Sequence, residues 1–280
     1  TPRAERPRRK ATAYVTSTVR SRVNDLPSVV FDAIGLEIDS VTSPSGRLQF
    51  QKTARTVTVN LPAPIDRGQD VTFTIHYAIL NEDNGLYMYA EPDEAANNVP
   101  YASCFTFSQP ENSRRWFPCN DQPDDKALFT ARLRVPKGYT AVSNGVQIDS
   151  VADGDTATIQ TWHHDVVMST YLFAVNASKY VMYPQEYRRP DNSVVPIANY
   201  HFDVDQDGPF FNATNAVRNV PLMFEALESY FGRYPYTTYG HVAVSPVPFG
   251  GMEHQTMTTV NRIWLNGSYD LGYAPQVAHH

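Results

Sequence analysis

The amino-acid sequence predicts a mostly β fold: a large antiparallel β domain over residues 11–180, with helical character entering only after residue 200. Three features carry the prediction. Apolar and polar residues alternate with period two in several short runs, the pattern of a strand with one buried face. Turn formers separate those runs at hairpin spacing. The 21 prolines favour turns and strand ends over long unbroken helices.

The elements follow in chain order. Residues 13–19 are short and rich in β-formers, and residues 56–61 and 71–77 alternate strictly. Pro44-Ser45-Gly46, Arg67-Gly68 and the stretch from Asn81 to Gly85 mark turns between them. Residues 128–135, 141–142, 156–161 and 169–175 are further strands, with turns at Ser143-Asn144-Gly145 and Asp153-Gly154-Asp155. Over residues 212–230 the period changes. Val217, Val220, Phe224, Leu227 and Phe231 recur at spacings of three and four, which places them on one helical face. Asn212 or Thr214 suits the N-cap and Gly232 the end, while Pro221 marks a kink or a later helix start. A short strand is expected over residues 241–245.

Composition narrows the function classes. A hydrophobic fraction of 42% with 19% charged residues describes a folded globular chain, and 280 residues suffice for a sizeable core. The net charge of −6 disfavours a nucleic-acid partner. The basic cluster Arg3, Arg6, Arg8, Arg9 and Lys10 reads as a solvated terminus ahead of a phosphate-binding arm. No apolar run reaches the ~20 residues of a membrane-spanning helix. The first ten residues lack the apolar centre of a signal peptide, and the chain opens on Thr1, which suits a processed or trimmed form. Modest charge with many Thr, Asn and Tyr residues leans toward an exported, periplasmic or extracellular protein. Fourteen residues lie between Cys104 and Cys119, a spacing that admits a disulfide and equally two buried thiols.

Two segments carry chemistry. In Pro248-Phe249-Gly250-Gly251-Met252-Glu253-His254-Gln255, two glycines permit close backbone approach and a carboxylate follows at once. That placement suits a cationic group such as a free α-amine, although a Gly-Gly-x-Glu run by itself is a common turn. Residues 107–127 form a long polar loop with embedded aromatics, which is either a functional loop or one braced by Arg–Asp pairs and a Trp116–Phe117 anchor.

Together these segments resemble the M1 family of zinc aminopeptidases, members of the gluzincin group. Gln109-Pro110-Glu111 and Arg114-Arg115-Trp116-Phe117-Pro118-Cys119, continued by Asp121, Pro123, Lys126 and Ala127, resemble its Q-x-E … R-x-x-F-P-C-x-D-x-P stretch. Ser143-Asn144-Gly145 and Met168-Ser169-Thr170-Tyr171-Leu172 follow in family order. Tyr230-Phe231-Gly232 with Tyr234-Pro235-Tyr236 resembles Y-F-G-x-x-Y-P, and Gly250-Gly251-Met252-Glu253 resembles the G-x-M-E-N exopeptidase motif. The resemblance implies a saddle-like N-terminal β domain over residues 1–195, lacking its first strands. It also implies the opening α+β part of a thermolysin-like catalytic domain over residues 196–280. By the same resemblance, Glu253 and Glu111 bind the α-ammonium of a peptide and Gln109 lines the pocket for its first side chain. Gly250, Gly251 and Met252 line the peptide, the two glycines presenting backbone to it. One departure is His254, which stands where the family usually has Asn.

The family binds zinc through H-E-x-x-H and a later glutamate. Val277-Ala278-His279-His280 stands where that motif opens, which makes His279 the first zinc ligand by position. His280 occupies the place of the catalytic glutamate. No H-x-x-x-H or C-x-x-C spacing occurs elsewhere, and His163-His164, adjacent on a strand, point to opposite faces. Strand-like surroundings suggest structural roles for His76, His201 and His241. The expectation is therefore a chain that does not hydrolyse peptides alone, holds zinc poorly, and self-associates through an incomplete catalytic domain. The rival expectation is a non-catalytic peptide-binding or scaffolding protein on the same fold. A carbohydrate-binding β protein would use the aromatics but leaves Gly250–Glu253 without a role.

Overall fold

The computed structural model describes residues 10–80, 84–89, 99–245, 249–266 and 270–280. The basic residues Arg3, Arg6, Arg8 and Arg9, the turn residues Asn81, Glu82 and Asp83, and Pro248 lie outside the described residues. The fold is mostly β, and the chain divides into two compact units.

The first unit comprises Thr1–Tyr87, Phe107–Lys126 and Ser169–Tyr171. Its strands are β1 (Lys10–Arg20), β2 (Leu26–Asp32), β3 (Leu36–Ser43), β4 (Gly46–Leu48), β5 (Phe50–Lys52), β6 (Thr56–Ile65) and β7 (Asp70–Leu80). They form two antiparallel sheets in the orders β1-β7-β3-β4 and β2-β6-β5. Pairing of β1 with β7 is unbroken from Lys10↔Leu80 to Arg20↔Asp70. The predicted alternation holds. Val57, Val59, Phe73 and Ile75 are fully buried, while Thr16–Thr74 and Thr18–Thr72 hydroxyl pairs, each 2.8 Å, ladder an exposed face.

The long polar loop belongs to this unit and is braced at both levels. An antiparallel bridge joins Asp32 to Cys119. The buried Arg114 guanidinium donates through Nε to Asp121 Oδ2 at 3.0 Å and lies 3.4 Å from Asp32 Oδ1. Trp116 and Phe117 pack with ring centroids 4.4 Å apart, and Trp116 Nε1 donates to Ser108 Oγ. The bracing expected from sequence is thus present.

The second unit comprises Met88–Thr106, Ala127–Met168 and Leu172–His280. The chain passes between the units along β8 (Gly85–Tyr89) and β9 (Ser103–Phe107). Beyond them lie β10 (Ala127–Pro136), β11 (Thr140–Ser143), β12 (Val146–Asp153), β13 (Ala157–Met168), β14 (Val175–Ser178), β15 (Tyr180–Arg188) and β16 (Val194–Phe202). Strands β10-β13-β12 form one antiparallel sheet, and β11, β14 and β9 pair in another.

The strand expected over residues 169–175 is not formed. Thr170–Leu172 make a single 3₁₀ turn, and β14 begins only at Val175. Side chains take the polar groups a ladder would need. In the first unit, Thr170 Oγ1 donates to Asp121 Oδ1 at 2.7 Å and Ser169 Oγ to Pro123 O. In the second, Asn144 engages Leu172 O and the Ala174 N–H.

The helical region resolves the role of Pro221. Helix α1 (Ala213–Ala216) is capped by Asn212, whose side chain accepts from the Asn215 N–H at 2.8 Å. Helix α2 (Val220–Phe231) starts afresh with Pro221 in its first turn, where no backbone donor is required. Gly232, at φ 89°, ends it, and its N–H donates to Glu228 O. Val217, Val220 and Phe224 are buried as the periodicity predicts, but Phe231 is 80% exposed. Periodicity fixes the side of a helix, not how far the partner surface extends, and the last turn of α2 runs past it. The core beneath gathers Phe224, Tyr239, Val260 and Trp264 with Tyr273 and Val277 of α3 (Asp270–Ala278).

Candidate functional site

The site is built on a mixed five-stranded sheet in the second unit. Its remaining strands are β17 (Tyr239–Val244), β18 (Gly251–Met252) and β19 (Thr258–Asn261), in the order β15-β16-β17-β19-β18. β17 is buried at every residue and runs parallel to both β16 and β19. A strand covered on both faces must be apolar or internally satisfied. His241 meets this condition: its Nδ1 lies 2.9 Å from Asn199 Oδ1 and its Nε2 lies 3.1 Å from the Tyr239 hydroxyl. Burial, assisted by His280, pushes the His241 imidazole down to about 3.

β18 is antiparallel to β19, with Gly251 opposite Val260 and Met252 opposite Thr259, and it forms the edge of the sheet. Met252 is buried in the core. Glu253, one residue on, turns the other way and is partly exposed, its Oε2 3.5 Å from His279 Nδ1 at the end of α3. The glycines are explained by packing. A Cβ on Gly250 would stand 2.6 Å from Trp264 Cζ2, and one on Gly251 would stand 3.0 Å from Gln276 Cδ. The lead-in is pinned by Asn261, whose N–H donates to Gly250 O at 2.7 Å and whose Nδ2 donates to Phe249 O at 3.0 Å. Beyond Glu253 the chain turns back through residues 254–257, closed by the Met257 N–H donating to His254 O. His254 is fully buried with Nδ1 2.9 Å from Thr259 Oγ1, and burial, with His280 adding, pushes it down to about 3.

The structure therefore brings Gly250, Gly251, Met252, Glu253 and His279 together. Gln109 and Glu111 belong to the first unit, in the loop braced by Arg114. Glu111 Oε2 accepts from Arg114 Nη2 at 3.3 Å, and Gln109 O accepts from Asn112 Nδ2 at 3.3 Å. Asn261, Trp264 and Gln276 were not singled out by sequence, because nothing in their spacing announces contact with β18. Cys104 and Cys119 are free thiols, Cys119 buried.

A protein zinc site needs three or four donors converging on one point. Among the described residues no three His, Cys, Asp or Glu side chains do so. His241 and His254 direct Nδ1 at hydrogen-bond partners, and His280 sets Nε2 3.0 Å from Thr258 Oγ1. Among the described residues, the donors do not by themselves fit the ion. No described helix is long and apolar enough to cross a membrane.

This architecture is that of the M1 metallopeptidases. The fold aligns with the M1 zinc metallopeptidase of Deinococcus radiodurans at a TM-score of 0.77 and 22% identity, covering 96% of this chain and 59% of that one. A mutant of that enzyme, bound to a Tyr-Ser-Ala substrate, aligns at 0.78. The chain belongs to the Peptidase M1 N-terminal domain family, which matches residues 3–172. It is 31% identical over 157 residues to human glutamyl aminopeptidase, covering 55% of this chain and 15% of that protein. It is 25% identical over 262 residues to tricorn protease-interacting factor F2 of Thermoplasma acidophilum, covering 92% and 30%. The chain thus spans less than a third of these two relatives and about 60% of the solved chains.

Proposed function

We propose that the chain is the N-terminal portion of a zinc-dependent aminopeptidase and carries the part that recognises a peptide's free amine. In this reading residues 1–195 are the β domain and residues 196–280 begin the catalytic domain. One observation supports it above the rest: a partly exposed carboxylate, Glu253, directly follows an open-edged strand. An extended peptide can add to such an edge through main-chain hydrogen bonds, and a carboxylate at its end then meets the terminal ammonium. Gly250 and Gly251 present backbone to the peptide; for Glu111 and Gln109, which lie in the first unit, the family resemblance implies amine recognition and recognition of the first side chain. The Tyr-Ser-Ala tripeptide bound by the Deinococcus enzyme mutant belongs to the ligand class this arrangement suits.

The test is binding of a tripeptide with a free amine against its N-acetylated form, by titration calorimetry. The free form is expected to bind more tightly. Glu253→Ala should weaken it by about 10- to 100-fold, as for a lost hydrogen bond to a charged group, and leave the acetylated form unchanged. Glu111→Ala should act in the same direction. Equal affinity for both peptides would remove the amine-binding role from both carboxylates.

A second reading, a non-catalytic peptide binder, is favoured by the donor set, since His280 stands where the family's motif has glutamate. It shares the binding prediction. Zinc-dependent hydrolysis of an aminoacyl chromogenic substrate would overturn this second reading. We expect none from this 280-residue chain.

A further inference from the structure

Ser143-Asn144-Gly145 recurs in family order, yet it takes no part in the site as described so far. Its contacts give it one. Asn144 is buried, and every hydrogen-bonding group of its amide is engaged. Oδ1 accepts from the Ala174 N–H at 2.7 Å, while Nδ2 donates to Leu172 O at 2.9 Å and to Gln255 O at 2.6 Å. Ser143 Oγ donates to Ala174 O at 2.6 Å. The Gly145 N–H donates to Thr256 Oγ1 at 2.7 Å. Two of these bonds thus reach the turn that immediately follows Glu253. A third tether comes from β13, where Gln255 Nε2 donates to His164 Nε2 at 2.8 Å.

That turn is held in a conformation its sequence does not favour. Thr256 has φ 66°, the left-handed region, where a β-branched side chain is a true outlier. Such a residue persists only where its surroundings over-determine it. The Gly145 N–H is one such determinant, and Gly145 can reach it only as glycine. Its own φ is 76°, and a Cβ there would stand 2.0 Å from His163 O.

We infer that Asn144 and Gly145 are positioning residues for Glu253: they clamp the strained Gln255–Thr256 turn and so fix the direction in which the carboxylate leaves β18. The inference rests on the amine-binding reading of Glu253 given above. It predicts that loosening the clamp blunts discrimination between free and acetylated peptides, because a carboxylate displaced by an ångström no longer meets the ammonium.

The experiment compares the ratio of affinities for free and N-acetylated tripeptide in the whole chain and in Asn144→Ala, Thr256→Val, Thr256→Ser and Glu253→Ala. Thr256→Val keeps the shape and removes the hydroxyl; Thr256→Ser keeps the hydroxyl. Asn144→Ala and Thr256→Val should lower the ratio about tenfold with little change for the acetylated peptide, and Thr256→Ser should retain it. A merely structural role would move the thermal midpoint and leave the ratio alone. If Asn144→Ala does not fold, the nearly isosteric Thr256→Val and Thr256→Ser pair still decides the matter. An unchanged ratio in Thr256→Val, with Glu253→Ala abolishing it, overturns the clamp but not the site. An unchanged ratio in Glu253→Ala overturns the site, and the clamp falls with it.

Discussion

A methyl group on residue 250 would enter the ring of Trp264, and this fact governs the candidate site at the scale of single residues. Gly250→Ala should destabilise the chain by about 1–3 kcal/mol, the usual cost of overpacking, read from the urea midpoint. An unchanged midpoint would mean that Trp264 swings aside freely. The sequence announced that these glycines serve close approach, and it pointed to a ligand. In the fold the side where each Cβ would stand is taken by Trp264 and Gln276. The reason is general: a glycine shows that something comes near, not which partner or from which side. Glu253 was legible because a motif surrounds it. Asn261, which pins the strand, was not, since an asparagine after a short β run carries no periodic or spacing signal.

At the scale of elements, β1, β6, β7, β10, β11, β13 and β17 and the helix after residue 200 could be read from alternation and spacing, whereas β2, β3, β9, β12, β15 and β16 were not singled out. What could not be read was which polar groups would compete with the ladder, and residues 169–175 were misassigned for that reason. The helix itself is tied down by charge. Arg189 and Glu228 are largely buried and make paired hydrogen bonds, 2.9 Å from Nε and 2.7 Å from Nη2 to Oε1. Glu228 also accepts from the Tyr234 N–H and the Tyr187 hydroxyl, so one carboxylate joins β15, α2 and the segment after it. Glu228→Ala leaves the guanidinium buried without its counter-charge. It should cost about 3–5 kcal/mol in urea unfolding, well above the effect of a surface ion pair such as Arg233–Asp191. A loss below 1 kcal/mol would show that Arg189 finds water instead.

At the scale of the whole molecule, acid is the expected weak point. Burial, reinforced by His280, depresses His241 and His254 from 6.5 to about 3. Both stay neutral in the folded chain while the unfolded chain protonates near 6.5. Their contribution is therefore complete above about pH 6.5 and is lost progressively as pH falls toward 3, by about 1.4 kcal/mol per pH unit for each group. Stability measured by urea unfolding should fall between pH 7 and 4, and His254→Asn should make that fall shallower. Equal slopes in the two proteins would show that His254 is not held neutral. The family was legible at this scale because several motifs occur in order, a signal that no single segment carries.

The strand order has a consequence for how the chain acquires its site. β16, β17 and β19 associate in parallel, so each must wait for an intervening stretch of chain to fold back, and such non-local pairing is slow. β18 contributes only two residues and has no partner until β19 is in place. The contact of Glu253 with His279 accordingly needs both β19 and α3, which come after it in the chain. A nascent or half-folded chain can bury most of its apolar surface and still lack the Glu253–His279 pairing on which the proposed amine site draws.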